Sequence, residues 1–374
     1  MSLRLYIRPV ALVDSSQALG GDVIRLAGGM TCASHFALIL REGRRVTGRR
    51  VVTPSGMAGA LADLPQELRA EGEAQWAALR KVHAPLTLPT RDGHRTIRMD
   101  SPQIMGILNI TPDSFSDAGS FMDKPEVAHE HAAMMLEAGA AIIDVGGEST
   151  RPGAAAVWEG DEVKRVVPAV EKLAAMGAAI SLDTRRLSVM KAGLAAGAQI
   201  INDVSALRHD PRSLEFVARS GAPVCLMHAP GDGNDLHAAV DYSDFLLDVF
   251  DWLKDRRDAA IAAGIAVERI LLDPGIGFGT SLADNLALMN GLPLFHALGC
   301  PLLVGASRKR MIGALSAEAP AHKRLGGSVA LAVKMMDAGV QIIRVHDVPE
   351  TVQAMHVWRG MRDAALTDFS QVVD

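Results

Sequence analysis

Eight polar side chains in this 374-residue chain stand at the ends of short apolar runs: Asn109, Asp144, Asp183, Asn202, His228, Asp273, Ser307 and Arg344. Carboxylates and amides accept hydrogen bonds, while a cation and a histidine donate them or move protons, so this set can hold a polar ligand if the fold gathers it in one place. The stretch Asn109-Ile110-Thr111-Pro112-Asp113-Ser114-Phe115-Ser116-Asp117 adds, on one loop, three side chains able to bind a metal or accept protons. By itself that stretch is also a Pro-Asp-Ser turn that caps a helix. Each aspartate alone would serve equally as a helix N-cap, and His346 alone would be a core histidine. His346, however, follows Arg344 by two residues, and alternate strand residues point to the same side. Gly275, Gly277 and Gly279 lack the spacing and position of a dinucleotide fingerprint, so their expected use is close backbone approach to a flat ligand.

The elements that must position these groups are legible in a repeat. Gly139 leads through Ile142-Ile143 to Asp144, Gly197 through Ile200-Ile201 to Asn202, and Gly339 through Ile342-Ile343 to Arg344. Gly177 to Asp183, Gly221 to His228, Gly264 to Asp273 and Gly299 to Ser307 follow the same grammar. The glycine supplies a left-handed helix C-cap, the apolar run is a strand buried on both faces, and the polar residue emerges where the strand ends. An eighth run, Ile104 to Leu108 ending in Asn109, lacks the glycine. Eight parallel strands with intervening helices make a (β/α)8 TIM barrel, an α/β fold whose chemistry lies at the carboxyl ends of its strands. Helices are expected near 125–138, 159–176, 186–196, 212–219, 241–263, 283–289, 321–337 and 349–363. The barrel domain is therefore assigned to 101–374.

Residues 1–100 form an N-terminal α/β extension whose role is not legible. Leu3 to Ile7 alternates like a strand, and Trp76, Leu79 and Val82 share helical spacing within Pro65 to Val82. Leu86 to Met99 is expected to be a hairpin turning at Asp92-Gly93, placed to close the barrel's amino-terminal mouth. Only 4% of residues are aromatic while 49% are hydrophobic, as suits aliphatic helices stacked on a parallel sheet. A formal charge of −5 with both signs interspersed argues against a general nucleic-acid or membrane-surface binder, and three basic residues at Arg308-Lys309-Arg310 do not reverse that. Cys32, Cys225 and Cys300 are too few and too scattered for a disulfide framework, and no signal-peptide core or long apolar span is present. A cytoplasmic location is expected.

The order of motifs supports more. Met105 to Asp117 closely resembles a signature of the dihydropteroate synthase family, and Gly146-Gly147-Glu148-Ser149-Thr150-Arg151-Pro152-Gly153 resembles the second, after the next strand. Asp183-Thr184, Asn202-Asp203, Met227-His228, Asp273 to Gly279, Ser307 to Arg310 and Arg344 to Asp347 continue the match, one motif per strand end across 100–360. The resemblance implies displacement of pyrophosphate from a hydroxymethyl-dihydropterin diphosphate by the amine of 4-aminobenzoate. It also implies that Asp183, Asn202, Met227 and Asp273 bind the pterin, with Asp273 accepting from two ring donors and Lys309 donating to the ring carbonyl or a neighbouring nitrogen. Asn109 would hold Mg2+ together with the diphosphate oxygens, and Arg344 and His346 would face the leaving group. Asp117 and Arg151 resemble the pair that closes over the reacting centre. Thr150, Pro152 and Phe278 would shape the aminobenzoate pocket, and Ser307 and Arg310 would receive its carboxylate. A homodimer through the last helices is the family's habit. Thr280, where a lysine is common, and Ala229-Pro230, where a longer side chain is usual, depart from the pattern. Rival readings are a pterin-dependent methyltransferase and a catalytically inactive pterin-binding paralogue. The first needs neither the Thr111-to-Asp117 loop nor Thr150-Arg151-Pro152, and the second should have lost the loop residues that are intact here.

Overall fold

A computed structural model describes residues 3–13, 22–111, 125–150, 157–238 and 240–366. Its centre is eight parallel strands: β7 (Gln103–Asn109), β8 (Ile142–Gly146), β9 (Ile180–Asp183), β10 (Ile200–Asp203), β11 (Val224–Met227), β12 (Ile270–Asp273), β13 (Leu303–Val304) and β14 (Ile342–Val345). They run in the order β12-β11-β10-β9-β8-β7-β14-β13, and a bridge between Leu272 and Leu302 joins the two ends into a barrel. All seven repeat glycines take positive φ, from 68° at Gly221 to 115° at Gly197, which is the left-handed turn that lets each helix hand over to the next strand.

The helices around the barrel are α3 (Pro125–Glu137), α4 (Glu159–Ala175), α5 (Leu187–Ala196), α6 (Ser213–Ser220), α7 (Phe245–Ala262), α8 (Leu282–Gly291), α9 (Arg310–Leu315), α10 (Leu325–Asp337) and α11 (Val348–Leu366). The helix expected from 241 starts at Phe245 instead, because the Asp244 side chain accepts from the Leu247 N–H and caps it there. That leaves 241–244 as loop. The run from 321 opens as a 3-10 turn over Ala321–Lys323 before α10 begins.

The hairpin is present, but its turn is one residue earlier than expected. Strands β5 (Leu86–Thr90) and β6 (Gly93–Ile97) pair Thr90 with Gly93, so Arg91-Asp92 make the turn and Gly93 opens the second strand at φ 137°. Its apolar side chains Leu86, Leu88, Ile97 and Met99 sit on the first inward-facing layer of the barrel. That layer takes one residue from each strand or its leading edge, including Met105, Ile142, Ile200, Leu271 and Ile342. Burying each such side chain contributes roughly 1.5–3 kcal/mol, an upper estimate, and the plug closes the amino-terminal mouth.

The N-terminal unit is an antiparallel sheet of β1 (Leu3–Val13), β2 (Ile24–Arg25), β3 (Cys32–Glu42) and β4 (Arg45–Val52), with α1 (Met57–Ala62) and α2 (Gln66–Arg80). Strand β3 is central and pairs with β1 along one side and with β4 and β2 along the other. The free edge of β1 is occupied by buried Gln75, whose Oε1 accepts from the Ile7 N–H at 2.8 Å while its Nε2 donates to the Leu5 carbonyl at 2.7 Å. An exposed edge of this kind would otherwise invite pairing with another chain. The sheet shares one hydrophobic core with the barrel: Tyr6 meets Phe250 edge-on at 5.5 Å, and Leu5, Ile7 and Leu79 pack in the same cluster as Leu292, Leu294 and Phe295.

Candidate active site

At the carboxyl end of the barrel, Arg344 reaches inward from β14 and ties two other strand ends together. Its Nε lies 2.5 Å from the Asp144 carboxylate and its Nη2 lies 2.8 Å from Asp183. Asn202, ending the run in β10, donates to the same Asp144 oxygen at 3.2 Å, while the other Asp144 oxygen is buried without a hydrogen-bond partner. Burial and the neighbouring Asp144 charge push the Asp183 carboxyl up to about 7 although Arg344 opposes the shift. The two carboxylates in turn hold the guanidinium firmly charged, against the effect of its own burial. The repeat places Asp144 at the end of its apolar run, but β8 continues to Gly146, so Asp144 lies within the strand, fully buried, and serves as the partner of Arg344 and Asn202.

A second pair lies on β12 and the turn after β13. Asp273 is buried, and its Oδ1 accepts from the Gly275 N–H at 2.8 Å. Burial raises its carboxyl to about 6 against the pull of nearby Lys309, and burial lowers Lys309 to about 8 against the pull of Asp273. The Lys309 ammonium donates to the Ile276 carbonyl and lies 4.8 Å from the centroid of the Phe278 ring. Met227 closes one wall in a small apolar cluster with Val204, Ala229, Leu236 and Phe278. An acceptor and a donor beside an apolar slot are what a flat ring with polar edges requires.

The three glycines of this loop are required by close packing within the protein itself. A Cβ on Gly275 would fall 1.9 Å from the His228 carbonyl oxygen, one on Gly277 2.9 Å from Lys309 Cδ, and one on Gly279 2.3 Å from Pro230. Asn285 of α8 fastens the loop: its Oδ1 accepts from the Gly277 N–H and the Thr280 hydroxyl at 2.6 and 3.1 Å. Thr280 thus has a local use at the position where the family commonly has lysine. Asn285 sits inside a helix, away from any strand end, and gave no signal in sequence.

The basic run is split by its backbone. Arg308 has φ 57° and is held by Asp347, by the Ser328 hydroxyl accepting from its N–H, and by Arg324 donating to its carbonyl. A strained residue held on several sides is a positioning device, and it directly precedes Lys309. Ser307 is buried and pairs with His346 Nδ1 at 3.0 Å, so these two expected site residues do meet. Arg310 begins the short helix α9 exposed, and no ion pair ties it to the other described site residues. Asn109 ends β7 half-buried, its Oδ1 beside Gly146. The Thr150 carbonyl faces His237. Asp117, Arg151 and Pro152 lie outside the described residues. Buried His228 is pushed down to about 4 by desolvation and pairs with the Tyr242 hydroxyl at 3.1 Å, so it stays neutral.

Residues 105–346 match the family model described as pterin binding enzyme. The dihydropteroate synthase of Neisseria meningitidis serogroup B is 47% identical over 274 residues, covering 72% of this chain and 96% of that protein. Among solved structures, a Xanthomonas albilineans dihydropteroate synthase with 4-aminobenzoic acid matches at 43% identity and TM-score 0.68, over 75% of this chain and 99% of that one. A Burkholderia cenocepacia dihydropteroate synthase complexed with 7,8-dihydropteroate matches at 38% identity and TM-score 0.67, over 76% and 98%. The matched model begins inside β7, so the N-terminal sheet and hairpin stand outside it. With the strand-end residues in place and relatives of this identity matched over nearly their whole length, this chain belongs to the dihydropteroate synthase family of pterin-binding enzymes.

Proposed function

We propose that this chain condenses 6-hydroxymethyl-7,8-dihydropterin diphosphate with 4-aminobenzoate to give 7,8-dihydropteroate and pyrophosphate, and that the residues gathered above carry it. The observation that bears most weight is the Asp273–Lys309 pair against Met227 and Phe278. An ionised Asp273 accepts from two N–H donors on the pterin edge, and a protonated Lys309 donates to the ring carbonyl or the nitrogen beside it. Asn202 and Asp183 complete the polar rim. The C–O bond to the diphosphate breaks with its electron pair leaving on pyrophosphate, the aniline nitrogen bonds to the methylene carbon, and that nitrogen then loses a proton. Arg344 has two nitrogens committed to Asp144 and Asp183, so Nη1 is the one left to donate toward the leaving group, beside His346.

Among the described residues no group of three His, Cys, Asp or Glu is arranged to hold a metal ion. Asn109 offers one neutral oxygen at a strand end, which fits a Mg2+ that arrives on the diphosphate with most of its other ligands from phosphate and water. Such an ion, held by Asn109, would supply positive charge to offset that of the diphosphate. We assign Thr150, Pro152, Phe278, Ser307 and Arg310 to the aminobenzoate side, and Asp117 and Arg151 to closure over the reacting centre.

Three buried free cysteines suit a reducing cytoplasm, and no helix among the described residues is long and apolar enough to cross a membrane. A homodimer through α11 fits its exposed Val357 and Met361, one turn apart, and sedimentation equilibrium reads it directly. The pterin assignment is tested by calorimetry on Asp273→Asn. An uncharged amide has one acceptor oxygen where the carboxylate has two and presents an NH2 to the other ring donor, so affinity should fall roughly 30-fold or more, about 2 kcal/mol. Unchanged affinity in a folded variant would remove Asp273 from the site.

A further inference from the structure

The segment between β11 and α7 touches both the N-terminal sheet and two active-site loops. In its middle, the His237 ring stacks on Phe278 with centroids 5.5 Å apart and planes 5° from parallel. The Gly279 N–H donates to His237 Nδ1 at 3.2 Å, so the ring proton belongs on Nε2, which then donates to the Thr150 carbonyl at 3.0 Å. One tautomer therefore joins the loop after β8 to the glycine-rich loop after β12. Further along, Tyr242 holds His228, the residue whose carbonyl packs on Gly275. The segment ends on Ser243 and the α7 residue Asp248, and both bond to Arg41 of β3, each at 2.5 Å. Arg41 is only 4% exposed, so this contact is screened far less than the surface pair Arg44–Asp241 beside it.

We propose that His237 is a positioning residue that latches the Thr150 loop to the Phe278 loop, and that the N-terminal sheet, through Arg41, braces the segment that carries it. This gives residues 1–100 a task in the reaction, and it rests on the proposed function in taking those two loops as the aminobenzoate side. Asp273 and Lys309 bond to the loop at Gly275 and Ile276, ahead of the latched Phe278–Gly279 stretch, whereas Thr150 and Phe278 are held by His237 directly. Losing it should therefore weaken use of 4-aminobenzoate selectively.

The experiment combines steady-state kinetics with hydrogen exchange at the Gly279 amide, whose bond to His237 reports the latch without turnover. For His237→Ala we expect the KM for 4-aminobenzoate to rise about tenfold with kcat and the pterin-diphosphate KM within about threefold, and Gly279 exchange to quicken about tenfold. Gln at 237 can accept from Gly279 and donate to Thr150 through one amide, so His237→Gln should restore both values to within about threefold. Arg41→Gln should raise the same KM and the same exchange rate, and should add nothing when combined with His237→Ala, since both act on one latch. Unchanged KM and exchange in His237→Ala would overturn the latch. Additive effects in the double variant, or an Arg41→Gln variant that melts like wild type and exchanges Gly279 normally, would overturn the brace. A wild-type protein that forms no dihydropteroate would instead count against the proposed function, and the exchange measurement would still decide the latch.

Discussion

Arg344→Met should destabilise the protein by an amount that depends on pH. The wild-type guanidinium lies 2.5 Å from Asp144, which is fully buried, and 2.8 Å from Asp183, with Asn202 also committed to Asp144. Removing one partner of a buried pair costs about 3–5 kcal/mol, because the remaining charge is left without compensation. Here two carboxylates lose the same cation. Asp183 is already raised to about 7, well above the roughly 3.9 of an unfolded aspartate, and losing Arg344 removes an opposing influence and pushes it higher. A carboxylate whose folded pKa exceeds its unfolded value costs nothing while protonated in both states, and its cost grows as pH rises through the folded value. The loss in Arg344→Met should therefore be largest near pH 8.5 and smaller near pH 5.5. Urea unfolding at both pH values reads it: with a slope of about 3 kcal/mol per molar, the midpoint at pH 8.5 should drop by roughly 1 M or more. Adding Asp144→Asn should recover part of the loss. A shift below about 1 kcal/mol at pH 8.5, or the same shift at both pH values, would refute the claim that Arg344 neutralises two buried carboxylates.

Two further outcomes concern the ligands. Since Asp273 must be ionised to accept from the pterin and burial raises it to about 6, while Lys309 must be protonated to donate and burial lowers it to about 8, kcat/KM for the pterin diphosphate should fall below the first value and above the second. A profile flat from pH 5 to 9 would contradict this. A sulfonamide carries the same aniline as 4-aminobenzoate beside a polar group of similar size and should compete with it, so inhibition undiminished by saturating 4-aminobenzoate would speak against a shared pocket.

The barrel was legible because its repeat has a physical cause: glycines at positive φ end the helices, and strands buried on both faces must be apolar until the residue that emerges at the mouth. The same logic brought Asp183, Asn202, Asp273 and Arg344 to one place. It was less able to place what lies between strand ends. Strand β4, with mostly exposed Arg45, Arg49 and Arg50, carries almost no apolar pattern, and the sheet it completes showed in the sequence only as its first strand and last helix. Asn285 and His237 act on loop backbone from positions whose residue types are ordinary on a surface. The hairpin turn moved by one residue because Gly93 opens a strand instead of closing a turn. The packing of His228, Lys309 and Pro230 against the three loop glycines has no signal in their spacing, because those partners come from distant segments.

The most direct test of the account is pyrophosphate release from 6-hydroxymethyl-7,8-dihydropterin diphosphate by the full chain, followed with and without 4-aminobenzoate while the pterin product is separated and identified. The account predicts release that depends on 4-aminobenzoate and matches dihydropteroate mole for mole. Release that proceeds equally without the amine, or no release under conditions where the pterin diphosphate binds, would contradict it.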